Sequence, residues 1–274
     1  MAHVIRNNSI YIAGMLLCII VGLAAAPLMT SVRGAASPLV LGSSSGILGF
    51  LVVTMAVLAT CAIGGMVGRM LHPPAGMYAA GIGIALLAWR MGSVTEVGYL
   101  GQQGTVYGDG IFLAILAAAG ISIIYAIAGP MPGIEPDDDG NMPHPVLSVD
   151  AARAAAAGLA VIPVVLFLAA SPHKGQTLGV AIIASIFAGL ASRLLAPHVQ
   201  PKLIFVSTII GGLVAFAIGS YTMAGSFEDL AALKDLPPLC RPMPIDYLAG
   251  SFIGVPAGLS WATSFLHHDD EHDS

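Results

Sequence analysis

Charge is what this sequence lacks most. Asp, Glu, Lys and Arg make up 9% of its 274 residues, against about 25% in an ordinary soluble domain. Hydrophobic residues make up 57%, and the mean hydropathy is +0.87. That composition cannot furnish a water-facing surface, so lipid is the solvent for most of the chain. The formal charge of −5 comes mainly from two short acidic clusters, Asp137-Asp138-Asp139 and Asp269-Asp270-Glu271. No basic patch points to nucleic acid, which is excluded as a partner.

Cysteine is also scarce. Three residues give no disulfide framework and no metal-type pair. Cys18 and Cys61 lie inside apolar runs, where a thiol behaves as a small hydrophobe, and Cys240 stands alone in a polar loop. Ionisable residues are missing from the middle of every apolar run. Arg69, Arg90, Asp109, Arg193 and Asp246 all fall near run ends, which argues against a proton-driven pump. His72, His173 and His198 fall in loops, which argues against haem held at mid-helix. No serine and histidine can be placed at one depth for an intramembrane protease. The sequence therefore implies no cofactor, no metal centre and no enzyme.

What it does contain is long apolar runs. A spanning helix needs about 20 predominantly apolar residues, and eight stretches approach that length: 10–29, 46–67, 77–91, 111–128, 154–170, 178–195, 203–221 and 247–264. The third and fifth are the shortest. Met1–Asn8 with Ala24-Ala25-Ala26 resembles a secretory signal, and the first run is read instead as a retained transmembrane helix. Pro27, Pro163 and Pro256 sit inside runs, where neighbouring helices can satisfy the freed carbonyl.

Two echoes suggest that the runs are duplicated. Gly65-Met66-Val67-Gly68-Arg69-Met70-Leu71-His72-Pro73-Pro74 matches Gly189-Leu190-Ala191-Ser192-Arg193-Leu194-Leu195-Ala196-Pro197-His198 at Gly, Arg, Leu and Pro. Gly92-Ser93-Val94-Thr95 matches Gly219-Ser220-Tyr221-Thr222 at three positions. The expected fold is all-α, with eight transmembrane helices in a parallel four-plus-four duplication. Residues 1–128 form the first repeat and 154–266 the second. Between them lies a Pro/Gly-rich acidic linker, 129–153, and an acidic, His-rich tail occupies 267–274. An even number of helices per repeat keeps both repeats in one orientation, related by an axis along the membrane normal.

One face would then carry Arg6, Arg69, Arg153, Arg193 and Lys202, and the other Arg33, Arg90, Lys174, Lys234 and Arg241. Five against five balances the positive-inside rule. The tight Arg turns, with Lys202 beside one of them, place both termini in the cytoplasm of a cytoplasmic or inner membrane. Residues 227–234 have acids first, a lysine last and an i,i+3 pair in Leu230 and Leu233, the pattern of a short interfacial helix.

Candidate sites are few. Arg69 and Arg193 could clamp one anion at the mouth of a path between the repeats. The commoner use of a terminal arginine is to complement the helix dipole and snorkel to headgroups. Thr60, Cys61 and Ser185 could line a narrow path, although hydroxyls in helices more often bond to a carbonyl one turn back. Gly250, Gly254 and Gly258 form a ladder suited to close helix packing. Glu135, Asp137, Asp139 and Gly140 imitate the start of a calcium loop, but Val146 stands where its last acid belongs. The histidine-rich tail could bind a transition metal.

Two functions fit this pattern besides contact with the lipid bilayer. The expected function is transport or permeation of a small neutral or anionic solute between two pseudo-symmetric halves. The alternative is a non-catalytic scaffold subunit that anchors a larger membrane protein complex; other membrane subunits or a homo-oligomer are the expected protein partners.

Overall fold

The computed structural model describes residues 2–134 and 144–266. The calcium-like positions 135, 137, 139 and 140 and the tail 267–274 lie outside them. The described residues are all-helical, with one isolated bridge between Thr30 and Ala36. In chain order the helices are α1 (Ala2–Ala25), α2 (Gly46–Met70), α3 (Pro73–Arg90), α4 (Val94–Tyr99), α5 (Thr105–Ala128) and α6 (Val149–Ala156). They continue with α7 (Val161–Leu168), α8 (Lys174–Leu195), α9 (Leu203–Tyr221), α10 (Phe227–Ala232) and α11 (Pro244–Leu266). Among the described residues, six segments are long and apolar enough to cross a bilayer: Val4–Leu28, Gly46–Met70, Thr105–Ala128, Val149–Leu168, Lys174–Leu195 and Leu203–Tyr221. The chain is a multi-pass membrane protein.

Two of the eight expected spans are absent from the six. These are α3, which opens Pro73-Pro74 and ends on Arg90, and α11, which carries Pro244, Asp246 and Pro256 among glycines and serines. Both are largely enclosed by other helices, α3 by α1, α2 and α11, and α11 by α8, α3, α9 and α5. An enclosed helix needs little lipid-compatible surface, so small residues replace large apolar ones.

The fifth run also differs from a plain helix. A 3-10 turn at Ala157–Ala160 separates α6 from α7. Pro163 stands third in α7, so its missing N–H falls in a first turn, where the donor would be unpaired anyway. The turn also lets Gly158 lie against α9, where an added Cβ would sit 2.5 Å from the Ser207 carbonyl oxygen.

Other differences concern the short helices. The connection after α3 contains α4, which packs against α10. Gly98 makes the contact close, because a Cβ there would stand 2.1 Å from that of Ala231. The buried side of α10 is therefore Phe227 and Ala231, and Leu233 is 75% exposed. Of the expected pair, Leu230 packs partly buried against the core and Leu233 does not.

Lipid provides no hydrophobic drive for helices to associate, so association rests on dispersion between closely approaching backbones. Glycine permits that approach at each main contact. A Cβ on Gly22 would lie 2.1 Å from the Gly83 carbonyl oxygen, joining α1 to α3, and one on Gly64 would lie 2.4 Å from that of Gly76, joining α2 to α3. The most extensive contact is α8 on α11. Added Cβ atoms on Gly250, Gly254 and Gly258 would reach the carbonyl oxygens of Ala181, Ile182 and Ile186 at 2.6, 2.4 and 2.0 Å. Gly189 returns the contact, at 2.5 Å from the Val255 carbonyl oxygen.

Gly254→Val should therefore push α11 off α8 and lower stability by about 1–3 kcal/mol, as overpacking does in a dense core. Gly179 faces open space in α8, so Gly179→Ala should leave stability unchanged or raise it by up to ~1 kcal/mol. Thermal unfolding of both variants in mild detergent checks the contrast.

Candidate functional site

The ionisable groups gather at helix ends, but the structure buries some of them completely. On one face α1, α3, α7 and α9 end, and α2, α5, α8 and α11 begin. Asp109, in the second turn of α5, has no exposed surface. Its Oδ1 accepts the backbone N–H groups of Val40 at 2.8 Å and Leu41 at 2.9 Å, which fixes the loop before α2. Asp246, in the first turn of α11, is equally buried. Its Oδ2 accepts the Met243 N–H at 2.9 Å, and its Oδ1 lies 2.6 Å from Lys174 Nζ at the start of α8. Neither Nζ nor Oδ1 has hydrogen-bond geometry, so charge attraction holds this pair. Asp246, in the first turn, also sits where the positive end of its helix dipole favours it.

Arg241 reinforces this face. Its Nε donates to the Leu236 carbonyl at 2.8 Å and one terminal nitrogen donates to the Ala169 carbonyl at 2.6 Å, tying the loop before α11 to the end of α7. Burial pulls this guanidinium below its ordinary pKa. Next to it, burial pushes the Cys240 thiol up to about 11, partly offset by the Ser220 hydroxyl and the Arg241 charge. Glu96 in α4 accepts from the Ser31 hydroxyl at 2.7 Å and lies 3.7 Å from Arg33.

The opposite face holds the two arginines, in unequal settings. Arg193 is 8% exposed, and its guanidinium donates to the carbonyls of Pro197 and Gly133. Gln200 adds a second tie, accepting from the Met131 N–H at 3.0 Å and donating to its carbonyl at 3.3 Å. The chain leaving α5 is thereby strapped to the turn between α8 and α9. Arg193 also lines a small cavity of about 60 Å³, with Pro74, Ile134 and Ser260 among its walls. Arg69 is exposed at the end of α2 and does not line that cavity.

Thr60, Cys61 and Ser185 are at most 1% exposed. The Thr60 hydroxyl donates to the Val57 carbonyl and that of Ser185 to the Ala181 carbonyl, both at 2.8 Å and both within their own helix. Cys61 packs at Gly120 of α5, and Ser185 packs at Gly250 and Gly254 of α11. These three residues are thus not gathered around one space. No group of three or more His, Cys, Asp or Glu able to hold a metal occurs among the described residues.

Sequence reasoning passed over Asp109, Asp246 and Lys174 because each stands within two turns of a helix start, where an ionisable residue normally reaches water. The available signal was the pattern of one acid opening an otherwise apolar helix, seen in both Asp109 and Asp246. Comparison with protein-family models, curated proteins and solved structures finds no match for this chain.

Removing one partner of the buried pair leaves an uncompensated charge. Lys174→Met should cost about 3–5 kcal/mol, and adding Asp246→Asn should recover much of that loss; thermal unfolding of the single and double variants measures the coupling. An exposed thiol deprotonates near its ordinary value of 9, whereas Cys240 holds its proton to about 11. Its contribution to stability should be intact below about pH 9 and should fall as pH rises to about 11. Maleimide should modify Cys240 only after denaturation, as mass spectrometry of the peptide can establish.

Proposed function

We propose that the chain is a non-catalytic scaffold subunit of a membrane assembly, built from eight membrane-crossing helices as two parallel repeats. The repeats are residues 1–128 and 154–266, joined by the linker 129–153. In this reading α1 corresponds to α6 with α7, α2 to α8, α3 to α9, α4 to α10 and α5 to α11. The packing supports the pairing. The contact of α3 with α11 becomes that of α9 with α5 under the exchange, and α4 with α10 is paired with itself. Asp109 and Asp246 support it too, since each stands near the start of its repeat's last helix and pins the segment where the second helix begins. Each repeat contributes four crossings, so the axis relating them runs along the membrane normal.

The observation that carries the scaffold reading is the closure of the interior. The neutral polar residues that would line a path are sealed, and the region between the repeats is filled by large apolar side chains. Tyr107 of the first repeat meets Phe216 of the second edge-on at 5.7 Å between ring centroids, and Phe252, packed on Phe205 at 5.6 Å within the second repeat, lies 3.2 Å from where a Cβ on Gly120 of the first would stand. Phe205, Phe216 and Phe252 are at most 1% exposed. A core of this kind serves rigidity and presents its outer faces to lipid and to other chains.

Transport of a small neutral or anionic solute is the second reading, favoured by the Arg193-lined cavity between the repeats. There Arg193 would meet an anion at the mouth of a path, with Arg69 on the outer rim and Thr60, Cys61 and Ser185 deeper in. The Arg turns, with Lys202 beside one, support cytoplasmic termini in a cytoplasmic or inner membrane.

Purification in mild detergent followed by native mass spectrometry separates the readings. Stoichiometric foreign subunits are expected for the scaffold. A chain that emerges alone or as a homo-oligomer overturns it, and solute flux into liposomes that falls at least tenfold with Arg193→Ala establishes transport instead.

A further inference from the structure

At the face that carries the Arg turns, α1 parts from its neighbours. Lower down it is held tightly. A Cβ on Gly22 would strike the Gly83 carbonyl, and one on Gly14 would stand 2.2 Å from a Val67 methyl. Beyond Gly14 the facing residues of α1 are Tyr11, Asn8 and Asn7. Across from them the turn between α2 and α3 supplies Leu71 and His72, followed by Ala75 and Tyr78 of α3. Together these residues line an open cavity of about 340 Å³. It lies at the ends of spanning helices, the level of a bilayer's headgroups.

Its chemistry is specific. Two phenols, two carboxamides and one imidazole line it, with no carboxylate and no ammonium. His72 Nδ1 accepts the Ala75 N–H at 3.2 Å as the N-cap of α3. With Nδ1 engaged as the acceptor, Nε2 is the ring nitrogen left to donate. A cavity rich in neutral donors suits a ligand rich in acceptors. Leu71 and Ala75 supply an apolar wall, as an amphiphile requires. Arg6, next in sequence to Asn7, and Arg69, two residues before Leu71, are both exposed, and exposed basic residues at a membrane surface favour anionic lipid.

We propose that this cavity binds the phosphate of an anionic phospholipid headgroup, with Tyr11, Tyr78, Asn8 and His72 as donors. The inference stands apart from the scaffold reading, because it concerns one pocket between α1 and α3 and not the region between the repeats.

The test is a titration of the purified full chain, delipidated in mild detergent, with phosphatidylglycerol, read by thermal shift and native mass spectrometry. Saturable binding of one lipid is expected, tighter than that of phosphatidylcholine. Loss of two neutral hydrogen bonds in Tyr11→Phe/Tyr78→Phe should weaken it about tenfold. His72→Asn, which keeps a capping side chain, is the second variant and should weaken binding about threefold. Absence of saturable binding, or binding unchanged in both variants, overturns the proposal. Equal affinity for phosphatidylcholine overturns the preference for an anionic lipid. Glycerol phosphate binding as tightly as the lipid would assign the site to a free phosphate ester and overturn the lipid as its source. A variant that lacks the unliganded thermal transition of the parent is replaced by Asn8→Ala, for which about threefold weakening is likewise expected.

Discussion

Everything in this structure depends on how closely one helix backbone can approach another. In water, burying a leucine against a leucine is enough to drive two helices together. In lipid that gain disappears, because the acyl chains are as apolar as the side chains. What remains is dispersion, which falls steeply once atoms separate by even an ångström. Gly22 on Gly83, Gly64 on Gly76 and the ladder of Gly250, Gly254 and Gly258 on α8 bring carbonyl groups to where a Cβ would otherwise stand. The two helices richest in such contacts, α3 and α11, are enclosed on several sides and are less apolar than their neighbours. Small residues hold the bundle together, and large apolar ones face outward to lipid or fill the interior of the bundle.

Close packing of the spans leaves the loops to be fixed by other means, and here polar chemistry takes over. A loop that crosses the end of a bundle exposes N–H and carbonyl groups that must find partners wherever they are buried. Asp109 satisfies two such N–H groups, Asp246 one N–H and one ammonium, and Arg241 two carbonyls. On the other face Arg193 and Gln200 secure the chain leaving α5. The scarce charges of this protein are thus concentrated at the seams between helix ends and loops. This arrangement accounts for a sequence with few ionisable residues, several of which are nonetheless buried.

The same division explains how far the site could be read in advance. Thr60 and Ser185 each satisfy a carbonyl in the preceding turn, which depends only on local helix geometry and was legible from residue type. Arg69 and Arg193 form an echo in sequence, yet one is exposed and the other donates to Pro197 and Gly133. The difference comes from what lies opposite each arginine, and that is set by distant segments of chain. For α10, composition correctly indicated a short helix, but its packed side followed from the position of α4.

The sequence by itself determined the solvent, the all-helical class and most spans, because each follows from local composition and length. Hydropathy along about 20 residues decides whether a backbone must satisfy itself within lipid, and only a helix does so in one segment. Tertiary structure alone decided which glycine meets which carbonyl, that Asp109 and Asp246 have no contact with solvent, and that Tyr11, His72 and Tyr78 line one cavity. Those outcomes depend on the rotation and axial offset of each helix against partners far away in the chain. Pairwise packing fixes them, and no single stretch of sequence contains both partners.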